Sequence, residues 1–543
     1  MVKRPKGCKV TGRTPHRLGS CRDKDLKIKK KMKKIKIYAG LLLAASVAFS
    51  GCSDDFLEVT PPTSNPIEEY FTTRDHVYEA LISAYDPLHW PDWAMSQYNP
   101  INIMSDIMAD DIWPGGASRT DNQYWHLMMN FEANPENCMT GLWTCEYSGV
   151  KRCNDVIKYI GWAGDNIGDE EKASWMAQTR VLRAYYYCNL WKFWGNIPFF
   201  MENLEFPYLA EQIPADEVYN NIIAELEDVI NQNVLPMKWE DTASEDNVGK
   251  VSQAMAYMLY AEMVMYQNDT ERYGKALGYM QDIINSGQYD LLPNYADIFE
   301  ESGEWGMESI FEINYKDDNA VRSWGSPLVA GGTVLPRLIS PSAWASNAGD
   351  DSGVTNGWGF APVRLETFQR YAEGDQRRDV TCFDANAHGT YEHRYQDTGY
   401  FLGKYIAKSE NNKDQAADGD LNFNNNLRVY RYAETLLNAA ELLVRTGGDA
   451  GLAKTYLNRV HNRSGLTDQV DATIDNIIEE RHLEFVGEGK RYWDLVRTDK
   501  ATTTLVPDTY GYRTNTWSAS KKYLPIPQSE IDAAQGTLTQ NNY

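Results

Sequence analysis

Apolar residues recur at helical steps most clearly in residues 174–200, SWMAQTRVLRAYYYCNLWKFWGNIPFF. Steps of four, three, four and three residues place a narrow seam on one helix face, and its members are Ala177, Val181, Ala184, Cys188 and Trp191. The two alanines allow a second helix to approach closely. Gly195 ends the run, and Pro198 prevents the helix from restarting. The pattern predicts a buried helix in an all-α domain.

Similar periodicity predicts further helices on both sides of this one. Their predicted starts are Thr72 or Thr73, Gly141, Pro214, Ser252, Thr270 and Leu427, and two more helices follow before residue 497. Residues 287–427 lack helical periodicity and are rich in Gly, Asn, Asp and aromatic residues. Within them, residues 308–315 alternate as a strand does. The pattern therefore predicts two sets of helices that flank a loop-rich insertion.

Charge is divided unevenly along the 543 residues, whose net charge is -23. Residues 1–36 contain 15 basic and 2 acidic side chains, and residues 37–51 contain no charged ones. The remainder has 38 basic and 74 acidic side chains, a net charge of -36. Such a surface repels nucleic acid and favours neutral ligands, cations or a protein partner.

Residues 32–51, MKKIKIYAGLLLAASVAFSG, have the pattern of a signal peptide. The apolar run covers 13 residues, 37–49, whereas a membrane-spanning helix needs about 20. Cys52 follows Ser50 and Gly51, as at a bacterial lipoprotein cleavage site, and is the predicted lipidation site. We treat residues 1–31 as a non-native extension and residues 52–66 as a tether.

The remaining cysteines are too few for a disulfide scaffold in a chain of this length. Cys188 lies on the apolar seam of the central helix, where a small hydrophobic residue is usual. A disulfide between Cys138 and Cys145 is left open by the sequence.

Several segments resemble the SusD/RagB-type family of outer-membrane nutrient-binding lipoproteins. They are RVLRAYYYCNLWKFWGNIPF, GDQRRD, RYAETLLNAAELL, ERHLEFVGEGKRYWDLVR and PIPQSEI, in the family's order. The resemblance implies a mainly α, SusD-like fold with four tetratricopeptide-type helix pairs. It implies one domain over residues 67–543, with residues 287–427 as a loop-rich, aromatic-rich insertion. The acidic residues after Cys52 resemble the family's signal for export to the cell surface.

The family's glycan sites use loops that correspond here to residues 86–125 and 287–360. These loops carry tryptophans that no helical seam accounts for: Trp90, Trp93, Trp113, Trp324, Trp344 and Trp358. Pyranose rings have apolar C–H faces that stack on aromatic rings, while nearby polar side chains bind their hydroxyls. Local loop packing is the alternative for any one of them. As a set, they are the predicted ligand-binding residues.

Motifs typical of enzymes are absent from the sequence: it has no HExxH, GxSxG or GxxxxGK[ST]. The densest charged cluster is interpreted as an ion-pair network that docks the last helix, and it comprises Glu480, Arg481, Glu484, Glu488, Arg491 and Asp494. Asp106, Asp110 and Asp111 offer carboxylates of the kind a glycosidase uses, but an acidic protein has many such groups. The sequence predicts a protein that is not an enzyme.

No cofactor and no metal site are predicted, with one weak indication of calcium. Asp418, Asp420 and Asn422 alternate as at the start of a calcium loop, yet Phe423 stands where that loop needs Gly. A solvated turn is the preferred interpretation.

The predicted function is a glycan-binding lipoprotein anchored on the surface of the outer membrane. It would capture oligosaccharides and deliver them to a SusC-like TonB-dependent transporter. Two alternatives remain: a helical-repeat scaffold of the transporter complex with no ligand of its own, or a binder of a non-sugar oligomer such as a peptide.

Overall fold

The central helix forms where the apolar seam predicts it, from Asp169–Trp194. A computed structural model describes residues 66–241, 244 and 247–543, and the unit Ile67–Tyr543 is compact. The predicted extension, signal peptide, lipidation site Cys52 and most of the tether lie outside the described residues. All five seam residues are buried. The helix ends at Gly195, whose φ of +68° only glycine adopts readily.

Nine α-helices of the described residues precede the insertion. They are α1 (Ile67–Tyr70), α2 (Arg74–Tyr85), α3 (Ile101–Asp106), α4 (Gln123–Met129), α5 (Thr140–Ala163), α6 (Asp169–Trp194), α7 (Ala215–Gln232), α8 (Gln253–Gln267) and α9 (Tyr273–Asn285). Helix α6 packs against α5 and α7, and α8 packs against α7 and α9. Gly149 of α5 faces the Tyr186 ring, where a Cβ atom would lie 2.4 Å from ring carbon. The absence of a side chain there lets α5 and α6 approach closely.

Of the helix starts predicted at Ser252 and Thr270, the structure confirms the first and contradicts the second. Ser252 caps α8, and its hydroxyl accepts a hydrogen bond from the Met255 N–H at 3.2 Å. The start predicted at Thr270 is wrong, because α9 begins at Tyr273 and Arg272 occupies the N-cap. Asp269, rather than Thr270, binds the Arg272 N–H.

The insertion contains short helices and strands separated by loops. Its elements are β3 (Ser309–Ile313), α10 (Leu335–Ile339), β4 (Ser342–Ser346), α11 (Leu365–Arg370), α12 (Arg377–Thr381), β5 (Cys382–Asp384), α13 (Ala385–His388), β6 (Gly389–Glu392), β7 (Tyr400–Leu402) and β8 (Leu427–Arg431). Before it, β1 (Ile197–Pro198) pairs with β2 (Gln212–Ile213). Within it, β4 pairs with β6 and β5 with β7, all antiparallel.

The two ends of the insertion are held together by a strand pair. The predicted strand is confirmed as β3, and it pairs antiparallel with β8, from Ser309 opposite Arg431 to Ile313 opposite Leu427. Leu427 was predicted to begin a helix, and this is wrong: the helix begins at Tyr432. All five residues of β3 are buried, so both faces of this strand are covered.

The last helices close the domain beside the insertion. They are α14 (Tyr432–Thr446), α15 (Ala450–Arg463), α16 (Ile474–Phe485), α17 (Arg491–Arg497), α18 (Ala501–Thr504) and α19 (Gln528–Ala533). Helix α14 packs on both α9 and α15, which joins the helices on either side of the insertion. The described residues are thus mainly helical, as predicted, and the tetratricopeptide-type geometry of the pairs stays a prediction.

The family-like segment ERHLEFVGEGKRYWDLVR contains a break between α16 and α17. Gly487 and Gly489 have φ values of +79° and +75°. Their N–H groups donate to one carboxylate oxygen of buried Asp106, at 3.0 and 3.1 Å. The break therefore fastens the loop between these helices to α3.

A buried ion-pair network surrounds this loop, as the structural interpretation of the charged cluster predicted. Arg431, at the end of β8, pairs with Glu308 at 2.8 Å, Glu484 at 2.6 Å and Glu488 at 2.7 Å. Burial alone would raise the pKa of Glu484, but Arg463, Arg431 and a third guanidinium outweigh it and lower that pKa to about 2. The network joins the insertion to the closing helices.

The five cysteines within the described residues are buried free thiols, including Cys138 and Cys145. The described part of the chain contains no helix that is both long and apolar enough to span a bilayer.

Candidate functional site: an aromatic arc

Four aromatic side chains from distant parts of the sequence meet at the surface of the domain. The Trp93 ring centroid lies 4.5 Å from that of Tyr98 and 5.2 Å from that of Trp324. Trp358 lies 6.0 Å from Trp324, with the two planes inclined by 27°, and 5.8 Å from Tyr98. We call these four residues the aromatic arc.

The rings of the arc are only partly covered by protein. Trp324 is 38% exposed, and Trp93, Tyr98 and Trp358 are partly buried. Burial, with the nearby carboxylates of Asp121 and others, raises the pKa of Tyr98 to about 12. The phenol is therefore neutral at physiological pH, so its hydroxyl can donate or accept a hydrogen bond.

A buried ion pair holds the two loops of the arc together. Arg322 donates to both carboxylate oxygens of Asp92, at 2.6 and 2.9 Å, and to the Trp93 carbonyl at 3.2 Å. It also donates to the carbonyls of Gly332 and Pro327. A guanidinium paired in this bidentate way fixes direction as well as distance. Trp93 and Trp324 thus belong to loops that share one rigid base.

Polar side chains line the edge of the arc. Arg337 pairs with Asp420 at 2.5 Å and donates to the carbonyl of Asn356. The Arg337 carbonyl accepts from the Trp358 N–H at 2.9 Å, which places this charged pair beside the Trp358 backbone. Asp418 accepts the Trp324 N–H at 3.0 Å. These groups can bind the hydroxyls of a ligand whose faces stack on the rings.

The three residues weakly indicated for calcium bind protein donors in the structure. Asp418 accepts from Trp324 and Asp420 from Arg337, as above. The amide of Asn422 donates to the carbonyls of Arg322 and Asp418, and its oxygen accepts the Gly332 N–H. Their side chains stabilise the loops under the arc, and Asn422 is fully buried.

The structure places the six predicted tryptophans in different environments. Trp93, Trp324 and Trp358 come together in the arc. Trp344 lies on β4, where its ring contacts Phe383 at 5.6 Å in a separate small cluster. Tyr98, which was not among the predicted residues, completes the arc. Its position in the same loop as Trp93, just before Pro100, could have indicated that it belongs to the site.

Trp90 and Trp113 were predicted to contact ligand, and this part of the prediction is wrong. Trp90 is 5% exposed and Trp113 is 1% exposed. The guanidinium of Arg152 covers the Trp90 ring at 4.6 Å, and that of Arg364 covers the Trp113 ring at 3.6 Å. Because a cation and neighbouring apolar groups cover both rings, neither can stack on a sugar.

One cluster of the described residues has the geometry of a metal site. Ligand atoms of Asp110, Asp111 and His482 lie within 4.8 Å of one another. However, Asp110 is bound by Arg491 through two hydrogen bonds of 2.8 and 3.1 Å, and Asp111 contacts His482 directly. A protein cation thus already balances the Asp110 carboxylate, and the cluster fastens α17 to the loop after α3.

The scaffold and its arc define a class of protein: a helical frame with partly exposed aromatic rings gathered on the loops at its surface. A family profile described as "SusD family" matches residues 342–543. A second, described as "Starch-binding associating with outer membrane", matches residues 55–262.

Solved structures of relatives extend this similarity over the whole domain. The chain is 61% identical to surface glycan-binding protein A from Bacteroides thetaiotaomicron, in complex with laminarihexaose, with a TM-score of 0.83, covering 87% of this chain and 100% of that one. It is 51% identical to surface glycan-binding protein A from Bacteroides uniformis, with a TM-score of 0.79 and the same coverage. A laminarin-binding SusD-like protein is 27% identical, with a TM-score of 0.77, over 87% of this chain and 99% of that one. The chain belongs to the SusD family.

Proposed function

We propose that this protein is a surface glycan-binding lipoprotein that captures laminarin-type oligosaccharides and delivers them to a SusC-like TonB-dependent transporter. The observation that carries the proposal is the aromatic arc, in which partly exposed rings from separate loops come together. The similarity to a protein bound to laminarihexaose supports the choice of glycan.

The geometry of the arc suits sugar rings better than other ligands. Its rings differ in orientation, with Trp93 and Trp324 inclined by 80° and Trp324 and Trp358 by 27°. A surface that turns in this way fits a curved glycan better than a flat ligand. Stacking buries apolar C–H faces, while Arg337, Asp420 and Tyr98 can bind hydroxyls. Because each contact is weak, affinity should be modest and should depend on several rings.

Isothermal titration with laminarihexaose tests the glycan claim. We expect binding by the intact chain and loss of binding by the Trp324→Ala/Trp358→Ala double variant. Trp344→Ala is the matched control, because this indole lies outside the arc and its removal should leave the affinity unchanged. Absence of binding to laminarihexaose and other oligosaccharides by the intact chain would remove the claim.

Delivery to a transporter requires a separate experiment, because binding a glycan and binding a transporter are separate functions. Affinity purification from cells should recover a SusC-like transporter with both the intact chain and the double variant. If the double variant supports growth on laminarin as well as the intact chain does, the scaffold alternative is favoured. Cys52→Ser should release the protein from the membrane if Cys52 carries the lipid.

Capture without catalysis is part of the same proposal. Asp420, a carboxylate at the edge of the arc, is paired with Arg337, whereas a general acid must hold a proton to donate. Incubation with laminarihexaose should therefore yield no new reducing ends. Product formation that persists in a preparation free of other proteins would overturn this claim.

A further inference from the structure

A second group of aromatic side chains lies at the surface, outside the arc. The rings of Tyr510 and Tyr512 stack with centroids 5.9 Å apart and planes inclined by 20°. Tyr395 adds a third ring, 5.4 Å from that of Tyr512. Tyr510 is 50% exposed, and Tyr395 and Tyr512 are partly buried. We call these three residues the tyrosine platform.

The turn that carries two of these tyrosines is fixed by hydrogen bonds. One carboxylate oxygen of Asp508 accepts the Tyr510 N–H at 2.7 Å and the Tyr512 N–H at 3.2 Å. Gly511, between them, has a φ of +76°, which lets the chain turn so that the two rings face each other. The stacked arrangement is therefore set by the backbone and does not depend on a ligand.

Buried Trp113 supports the platform from below. Its ring packs edge-on against Tyr512 at 5.1 Å and against Tyr510 at 6.1 Å. Arg513, next along the chain, is 1% exposed and donates to the carbonyls of Met108, Ala109 and Met129. The tyrosine turn is thus anchored to the loops of the first part of the domain.

Polar groups surround the platform. Glu366 lies against the Tyr510 hydroxyl and raises the pKa of this phenol by hydrogen bonding. The Arg119 side chain is exposed and acts electrostatically on both Tyr395 and His126. His126 is 3% exposed, and its ring lies 5.5 Å from that of Tyr395. Aromatic faces bordered by charges of both signs suit a neutral polyhydroxy ligand better than an apolar one.

The platform is continuous with the arc through three backbone segments that lie side by side. The Gly116 N–H donates to the Gly359 carbonyl at 2.9 Å, and the Tyr395 N–H donates to the Gly116 carbonyl at 3.1 Å. The two surfaces also adjoin directly, because a Cβ atom on Gly359, next to Trp358, would lie 3.7 Å from the Cβ of Arg394, next to Tyr395. A glycan a few sugars longer than the arc itself can therefore reach the platform.

We propose that the tyrosine platform is a second carbohydrate subsite, which binds further rings of the same neutral glucan chain whose other rings occupy the aromatic arc. This inference rests on the proposed function and adds to it a preference for long chains. Linking two weak contacts within one ligand raises the affinity for chains that reach both, and leaves short ligands unaffected.

Titration with a short and a long ligand tests the subsite. Laminaritriose and laminarin are compared on the intact chain and on the Tyr510→Ala/Tyr512→Ala double variant. We expect the double variant to bind laminaritriose with unchanged affinity and laminarin roughly fivefold to tenfold more weakly. Tyr208→Ala is the matched control, because Tyr208 is 68% exposed on a loop outside both surfaces, and it should bind both ligands as the intact chain does.

The outcomes separate this inference from the proposed function. If the intact chain binds neither ligand, the proposed function fails and the subsite with it. If the intact chain binds both and the double variant binds laminarin equally well, only the subsite is overturned. An equal loss for both ligands also overturns it, because the substitutions then act on the arc.

A second measurement avoids substitutions altogether, in case the double variant fails to fold. Nitration of Tyr510 by tetranitromethane, followed by peptide mass spectrometry, should be slowed by laminarin and unaffected by laminaritriose. Equal nitration of Tyr510 with and without saturating laminarin would contradict the subsite.

Discussion

Replacing Arg322 by methionine tests whether the arc depends on the buried ion pair beneath it. The Arg322 side chain is 0% exposed and that of Asp92 is 2% exposed. Arg322 bonds to Asp92, to the Trp93 carbonyl and to two further carbonyls in its own loop. Methionine fills similar space but donates no hydrogen bond, so all of these acceptors lose the hydrogen bonds from Arg322.

The expected loss of stability follows from the Asp92 carboxylate, which stays buried without its partner. Removal of one partner of a buried ion pair costs about 3–5 kcal/mol, because the other charge remains without compensation. The Val334 N–H still donates to Asp92 at 2.8 Å, which favours the lower half of that range. Without Arg322 the loops would adopt the arc arrangement only part of the time, and this also weakens binding. If they adopt it a tenth of the time, the apparent affinity falls about tenfold.

Urea unfolding and titration with laminarihexaose measure the two effects on the same preparations. Arg74→Met is the matched control, because its partner Glu171 is at the surface and an exposed pair contributes about 1 kcal/mol or less. Adding Asp92→Asn to Arg322→Met should recover part of the stability, since the remaining group is then neutral. If Arg322→Met unfolds at the same urea concentration as Arg74→Met and binds equally well, the ion pair does not hold the arc.

Three further predictions concern stability. Burial, only partly offset by the hydrogen bond from Asn189, raises the pKa of Glu146 from 4.5 to about 8. Between about pH 5 and 8 the folded chain therefore keeps a proton that the unfolded chain releases, and stability falls as pH rises. In urea unfolding, Glu146→Gln should flatten this slope and gain up to about 5 kcal/mol at pH 8, whereas parallel stability profiles of the two proteins would contradict the prediction. Trp113→Ala should cost about 3–5 kcal/mol in the same assay, and a cost near zero would show that the ring is not packed as described. The pKa of Glu484 is lowered to about 2, so its contribution to stability is present above the unfolded pKa of about 4.3 and is lost as pH falls from there towards 2. Circular dichroism should show that the intact chain loses stability in that pH range. Glu484→Gln, already less stable at pH 7, should lose less stability over the same range.

The helices were predictable because their apolar periodicity is a local signal. The seam of α6, the caps at Thr73 and Ser252 and the stop at Gly195 all follow from residues close to one another in sequence. The error at Leu427 has the opposite origin. The strand β8 forms because β3, more than 100 residues earlier, pairs with it, and no local pattern of residues 427–431 contains that information.

The arc was only half predictable for the same reason. Loop tryptophans were the right class of residue, but burial separated them: Trp113 and Trp90 are covered by Arg364 and Arg152, which lie elsewhere in the chain. The pairing of Asp92 with Arg322, 230 residues apart, decides which aromatic rings meet. Both residues look like ordinary surface residues in the sequence, so the composition of the site had to come from the structure.

The way in which the insertion is built bears on how the protein should bind. Apolar residues join it to the main core, and buried guanidinium groups, such as Arg322 on Asp92 within it and Arg431 on Glu484 beside it, also hold its loops. Such pairs contribute little net stability, but they set direction and spacing. An arc fixed in advance loses little conformational freedom on binding. Its affinity is then limited by the number of sugar rings it can stack, and a glycan long enough to reach Tyr510 and Tyr512 gains contacts without reorganising any loop.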